Sequence, residues 1–100
     1  MLASLLTPTA IAAAGDLVAG RHLAAACRVC HGIDGISVRP DAPNIAGQLE
    51  PYLRQQLLDY RSGKRQHAVM GVVAKGLSDS DIENLAAYYS SIRISVETTP

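Results

Sequence analysis

The segment Cys27-Arg28-Val29-Cys30-His31 decides how the rest of the chain is read. It holds both cysteines of the sequence, three positions apart, and a histidine follows at once. On a helical turn that spacing lets each thiol add to one haem vinyl group. The imidazole of His31 then lies under the iron, and a proximal histidine is a common haem ligand. Cys-x-x-Cys-His therefore reads as a c-type haem attachment site. Other readings of the pair fit less well. A thioredoxin-like dithiol needs a strand-then-helix context, which the pattern lacks. A tetrahedral zinc site needs four ligands. Beyond Cys27, Cys30 and His31, only His22 and His67 offer soft donors, at irregular spacing. A structural disulfide across two intervening residues is uncommon.

Composition agrees with a large apolar guest. The 100 residues make one domain, and a domain this small buries a modest core. There are four Tyr, no Phe and no Trp, so something besides side chains fills the middle. Lys plus Arg and Asp plus Glu each count nine, giving a formal charge of zero. No basic patch argues for nucleic acid. Two ionised haem propionates would take the loaded protein to about −2.

Around the motif the chain reads as all-α, with about four helices and long loops. Asp16 is placed to cap a helix start. The alanine-rich run Leu17 to Cys30 favours helix, interrupted only by Gly20. Residues 32–47 hold three glycines and two prolines and read as loop. A second helix is expected from near Pro51, with Leu53, Leu57 and Tyr60 at helical spacing and Gly63 as its stop. Residues 64–68 read as polar loop, and 69–77 as one short helical turn or more. Ser78-x-x-Asp81 resembles a capping box. Ile82, Leu85, Ala86 and Tyr89 then form an apolar stripe that carries the last helix to about Ile92. No alternating strand pattern and no internal repeat occur.

A haem iron with His31 on one side needs Met, His or an open position on the other. Met70 is the candidate, because Met1 is the only other methionine. It lies 39 residues beyond His31, on a segment read as loop between the second and last helices. That length lets the chain wrap the haem edge and return on the opposite face. A thioether ligand raises the potential. The bland alternative is a flexible core filler. His22 and His67 read as surface residues.

Residues 1–14 carry no charge and end in Ala12-Ala13-Ala14, the small-residue pattern of a signal-peptide cleavage site. The apolar run is too short for a membrane-spanning helix of about 20 residues. A positive n-region is missing, and the alternative is an alanine-rich helical extension. The expected division is a signal peptide over 1–14, a domain over 15–93 and a flexible tail over 94–100.

Read together, these residues resemble the small class I cytochromes c of the bacterial periplasm. The likeness runs through Gly20-x-x-Leu23, Cys27-x-x-Cys30-His31-Gly32 and Pro43-Asn44-Ile45-Ala46-Gly47-Gln48. It continues with Tyr52-Leu53-x-x-Gln56-Leu57, Arg65, Met70, Gly76-Leu77-Ser78-Asp79-x-Asp81-Ile82 and Leu85-Ala86-Ala87-Tyr88-Tyr89. The resemblance covers roughly residues 16–92 and implies the cytochrome c fold, with first and last helices crossing over one covalent haem. It implies Cys27 and Cys30 as attachment points and His31 and Met70 as axial ligands. It also implies that the Pro43 carbonyl accepts from the second ring nitrogen of His31. Gly20 is expected to let the first and last helices cross near Tyr88 or Tyr89. Relatives often carry proline or a second methionine beside the ligand; here the neighbours are Ala68, Val69 and Gly71.

The implied function is a monohaem carrier of single electrons between periplasmic redox partners, itself not an enzyme. A second reading is the haem subunit of a larger complex, with a flavoprotein sulfide dehydrogenase or an oxidase as the partner type. A third is a haem sensor or peroxidase with an open iron site, which requires that Met70 does not bind.

Overall fold

The computed structural model describes residues 15–99. The expected signal peptide, residues 1–14, lies outside them. Among the described residues there are helices and loops and no strand. The helices are α1 (Leu17–Leu23), α2 (Arg28–His31), α3 (Glu50–Ser62), α4 (Ala68–Lys75) and α5 (Asp79–Ser91).

The run expected as one helix from Leu17 to Cys30 is divided. Residues 24–27 form a tightened turn, in which Cys27 N–H donates to the Ala24 carbonyl at 2.9 Å and Ala25 N–H to His22 at 3.3 Å. These are i→i−3 bonds, which shorten the turn without stopping the chain. Arg28 N–H reaches back to Ala24 at 3.0 Å, and one more turn carries Cys30 and His31.

The helix ends follow their chemistry. The Asp16 carboxylate accepts from Val18 N–H at 2.9 Å and Ala19 N–H at 3.2 Å. Pro51 sits in the first turn of α3, where its missing N–H costs nothing. Gly63 ends α3 at φ 84°, the left-handed region that a Cβ disfavours. Ser78 and Asp81 complete the capping box of α5, side chain to backbone in both directions at 3.0 Å.

Over 69–77, where one short helical turn or more is expected, the chain forms a two-turn helix, α4, which begins at Ala68. Its start is fixed by His67, whose Nδ1 accepts from Val69 N–H and Met70 N–H at 3.2 Å each. Met70 thus stands on the first turn of α4 and not on a loop.

The α1 and α3 helices pack on α5, and α4 packs on α3. The core is Ala24, Leu53, Leu85, Ala86 and Tyr89. At the α1–α5 crossing the backbones come so close that a Cβ on Gly20 would overlap the Asn84 carbonyl oxygen and lie 2.7 Å from Tyr88 Cβ. The glycine that weakens α1 as a helix is therefore what allows the crossing. Arg61 joins α3 to the start of α5, donating to the Leu77 carbonyl at 3.1 Å and pairing with Asp79.

Loop 32–47 is irregular but tied down. Ile45 N–H and Ala46 N–H both donate to the Gly35 carbonyl, at 2.8 and 3.1 Å. Asn44 accepts from Ser37 N–H at 2.7 Å, and Gly47 N–H donates to Tyr89 on α5 at 2.9 Å. These bonds hold Pro43 against α2. The residues after Ile92 form no regular structure among those described.

Candidate haem-binding site

One cleft runs between α2, the 43–45 loop, α3, α4 and α5. Its walls include Cys27 and His31 on one flank, Pro43 and Ile45 from the loop, and Met70 from α4. Leu53, Leu57, Leu85 and Tyr89 supply its apolar depth. Four of the five residues singled out from the sequence meet there. Cys30 is half-buried and does not line the cleft. It sits at the rim, with its carbonyl accepting from Ser37 Oγ at 3.2 Å and its sulfur 3.6 Å from Arg39 Nη1.

His31 is only 8 % exposed, and a buried imidazole needs a partner. Its Nδ1 lies 2.8 Å from the Pro43 carbonyl oxygen. A carbonyl only accepts, so the proton is on Nδ1 and the Nε2 lone pair is left free. That is the tautomer required of a metal-ligating histidine held by a backbone carbonyl.

Cys27 and Cys30 are both free thiols. Burial pushes the Cys27 thiol above its ordinary range, with a smaller opposing effect from Tyr89. Among the described residues, no three His, Cys, Asp or Glu side chains gather where they could hold a metal ion. A tetrahedral zinc site built on the cysteine pair therefore lacks its remaining ligands. Two free thiols, a free imidazole nitrogen and an adjacent apolar cleft do fit a covalently held haem.

Two features were not legible as site chemistry. Tyr52, Gln56 and Tyr60 recur every fourth residue on α3, and this face lines the cleft. The i, i+4, i+8 spacing signals the shared face, although the stripe read from the sequence was Leu53, Leu57 and Tyr60. Arg65 is the one cation in the walls; its guanidinium lies 4.7 Å over the Tyr60 ring and donates to Gln56 Oε1 at 2.6 Å. His67, read as a surface residue, is exposed and yet caps the helix that carries Met70. His22 is exposed and away from the cleft walls.

Comparisons with known proteins agree with this geometry. The family model described as "Cytochrome c" matches residues 17–93. Cytochrome c4 of Pseudomonas aeruginosa is 46 % identical over 84 residues, covering 84 % of this chain and 42 % of the relative. Cytochrome c-554(548) of Halomonas halodenitrificans is 46 % identical over 81 residues, covering 78 % of this chain and 98 % of the relative. The chain thus spans less than half of the cytochrome c4 relative and nearly all of the c-554(548) relative. The crystal structure of reduced cytochrome c4 from Pseudomonas stutzeri superposes with a TM-score of 0.76 at 42 % identity. That match covers 83 % of this chain and 48 % of the other. The cleft, its unpaired thiols and these matches agree: the chain belongs to the cytochrome c family and carries one covalently bound haem c on Cys27 and Cys30.

Proposed function

We propose that this chain is an electron carrier whose haem iron is held by His31 and Met70, with no position left open for a substrate. The observation that carries the reading is that His31 and Met70 line one cleft, whose other walls, among the described residues, hold no second histidine and no carboxylate. Bound haem supplies one-electron exchange between ferrous and ferric iron. The chain's own residues do the rest. Cys27 and Cys30 tether the group, and the Nδ1–H bond to Pro43 fixes the ring plane of His31 and makes its free nitrogen more basic. Met70 offers a thioether from a helix whose first turn is capped by His67. The leucines and Tyr89 exclude water, which raises the potential further by disfavouring the more charged oxidised state. Arg65, at the wall, suits an ionised carboxylate of the haem.

Carbon monoxide tests the closure. The reduced protein is expected to show no rapid spectral change under carbon monoxide, whereas reduced Met70→Ala binds it at once. Fast binding by the unaltered protein contradicts the closed iron and favours a sensor or peroxidase.

The leader-like residues 1–14 support the periplasm as the compartment. Among the described residues no helix is long and apolar enough to cross a membrane. A second reading has a specific support. The cytochrome subunit of sulfide dehydrogenase from Chlorobaculum tepidum is 36 % identical over 73 residues, covering 66 % of that relative. On that reading the chain serves a dehydrogenase as its electron-transfer subunit. Size exclusion and pull-down from native extract separate the two: a permanent complex demotes the free carrier.

A further inference from the structure

One buried polar atom is unexplained by the packing. Among the described residues the Tyr89 hydroxyl finds no partner in full hydrogen-bond geometry, although the residue is only 3 % exposed. Leaving such a group unpaired in the core is unfavourable. A phenylalanine would fill the same volume without that cost. Tyr89 also belongs to the core cluster, and Cys27 packs against it. The Cys27 sulfur and the Tyr89 hydroxyl face each other closely enough to act as a weak hydrogen-bonding pair, which eases the Cys27 thiol downward and pushes the tyrosine upward, although the contact falls short of full hydrogen-bond geometry.

Haem attachment changes what Cys27 can offer. Thioether formation is an addition: the sulfur bonds to one vinyl carbon, the thiol hydrogen goes to the neighbouring carbon, and nothing is released. A thiol is both a weak donor and a weak acceptor, whereas a thioether sulfur only accepts. Attachment therefore removes the competing S–H donor and leaves Cys27 an acceptor only, the partner that the Tyr89 hydroxyl needs. The hydroxyl stays a donor, because burial and the neighbouring sulfur both hold it protonated.

We propose that Tyr89 is a positioning residue whose buried hydroxyl donates to the Cys27 thioether sulfur once haem is attached, fixing that edge of the group and withdrawing electron density from it. The inference rests on attachment through Cys27, which haem staining of a denaturing gel checks separately. Neighbouring Tyr88, at the same end of α5, packs instead on Gly20 and serves as the internal control.

The test is a cycle of Tyr89→Phe and Cys27→Ala in the haem-loaded protein, read as reduction potential. Tyr89→Phe is expected to change the ferrous-to-ferric ratio at a fixed ambient potential about twofold toward ferric, the scale of one weak hydrogen bond. Tyr88→Phe leaves the ratio unchanged. In the Cys27→Ala background, haem held by Cys30 alone, Tyr89→Phe has no effect on the ratio. An equal shift in both backgrounds overturns the proposal and moves the hydroxyl's partner to a haem carboxylate or a bound water. No shift in either also overturns it. Should Cys27→Ala not retain haem, proton NMR of the reduced protein decides. A slowly exchanging Tyr89 hydroxyl proton with a close contact to the Cys27 β protons is expected, and a freely exchanging one contradicts the proposal.

Discussion

Replacing Cys27 and Cys30 together by alanine is expected to leave a chain that keeps no haem on a denaturing gel and loses its cooperative thermal transition. The reason lies in the core. The buried hydrophobics are Ala24, Ala46, Leu53, Ala74, Ile82, Leu85, Ala86, Ala87 and Tyr89. Among the described residues, five of those nine are alanine, and Ile82 is the one large side chain almost wholly shut from solvent. Alanines bring helices together but bury little apolar area of their own. Beside them lies a cleft of about 220 Å³. Left without its guest, that cleft exposes apolar side chains and forfeits the contacts that a filled core makes. The whole stability of a small domain is only about 5–15 kcal/mol. Covalent attachment also keeps the haem at the chain when the fold opens, so refolding starts with its core filler in place. Far-UV circular dichroism on heating checks the outcome. A haem-free variant that melts sharply at the unaltered protein's temperature would show that the side chains alone make the core.

Gly20→Val carries the second large effect, an expected loss of about 3 kcal/mol in urea denaturation of the haem-loaded protein. Helix propensity alone predicts the opposite sign for Gly20→Ala, a gain of about 1 kcal/mol. Packing overrides it. The atoms that a Cβ would meet are the Asn84 carbonyl oxygen and Tyr88 Cβ, both fixed to the backbone of α5. No rotamer change relieves that overlap, so α1 must move off α5. Asp16 N–H donates to Asn84 Oδ1 at 2.8 Å at the same crossing, and this bond is lost with the displacement. A stabilised Gly20→Ala protein would mean that the helices cross elsewhere.

The fold was largely legible because its signals are local. Asp16, Gly63 and the Ser78/Asp81 pair each satisfy or stop a helix end with groups a few residues away. The haem motif is local as well, five residues long, and so the site could be approached before any helix was placed. The failures have a common physical source. The break at residues 24–27 depends on i→i−3 bonding, which an alanine-rich run does not advertise. The placement of Met70 on α4 and not on a loop was not legible, because Gly71 is a poor helix former and a histidine stands in the capping position, where Ser, Thr, Asp or Asn is the usual signal. The division of labour between Tyr88 and Tyr89 was not legible either. Adjacent residues on a helix face about 100° apart, and only the packing shows that Tyr88 meets Gly20 while Tyr89 meets the cleft.

That correction to Met70 bears on the proposed chemistry. A ligand on a loop exchanges easily, whereas Met70 is on a helix whose first turn is hydrogen-bonded to His67. Its own N–H is one of the two groups so held, which limits how far the thioether can swing from the cleft. The absence of a neighbouring proline is offset by this cap.

The absorption spectrum of the oxidised protein, recorded beside Met70→Ala, tests the central claim most directly. The account predicts a low-spin spectrum with the weak far-red band of a sulfur–ferric bond, and its loss in Met70→Ala. That loss should come with a fall in reduction potential on the order of 0.2 V, within the ~0.8 V range that axial ligands span. An unaltered protein with high-spin features and no far-red band, or a Met70→Ala spectrum identical to it, would contradict the account.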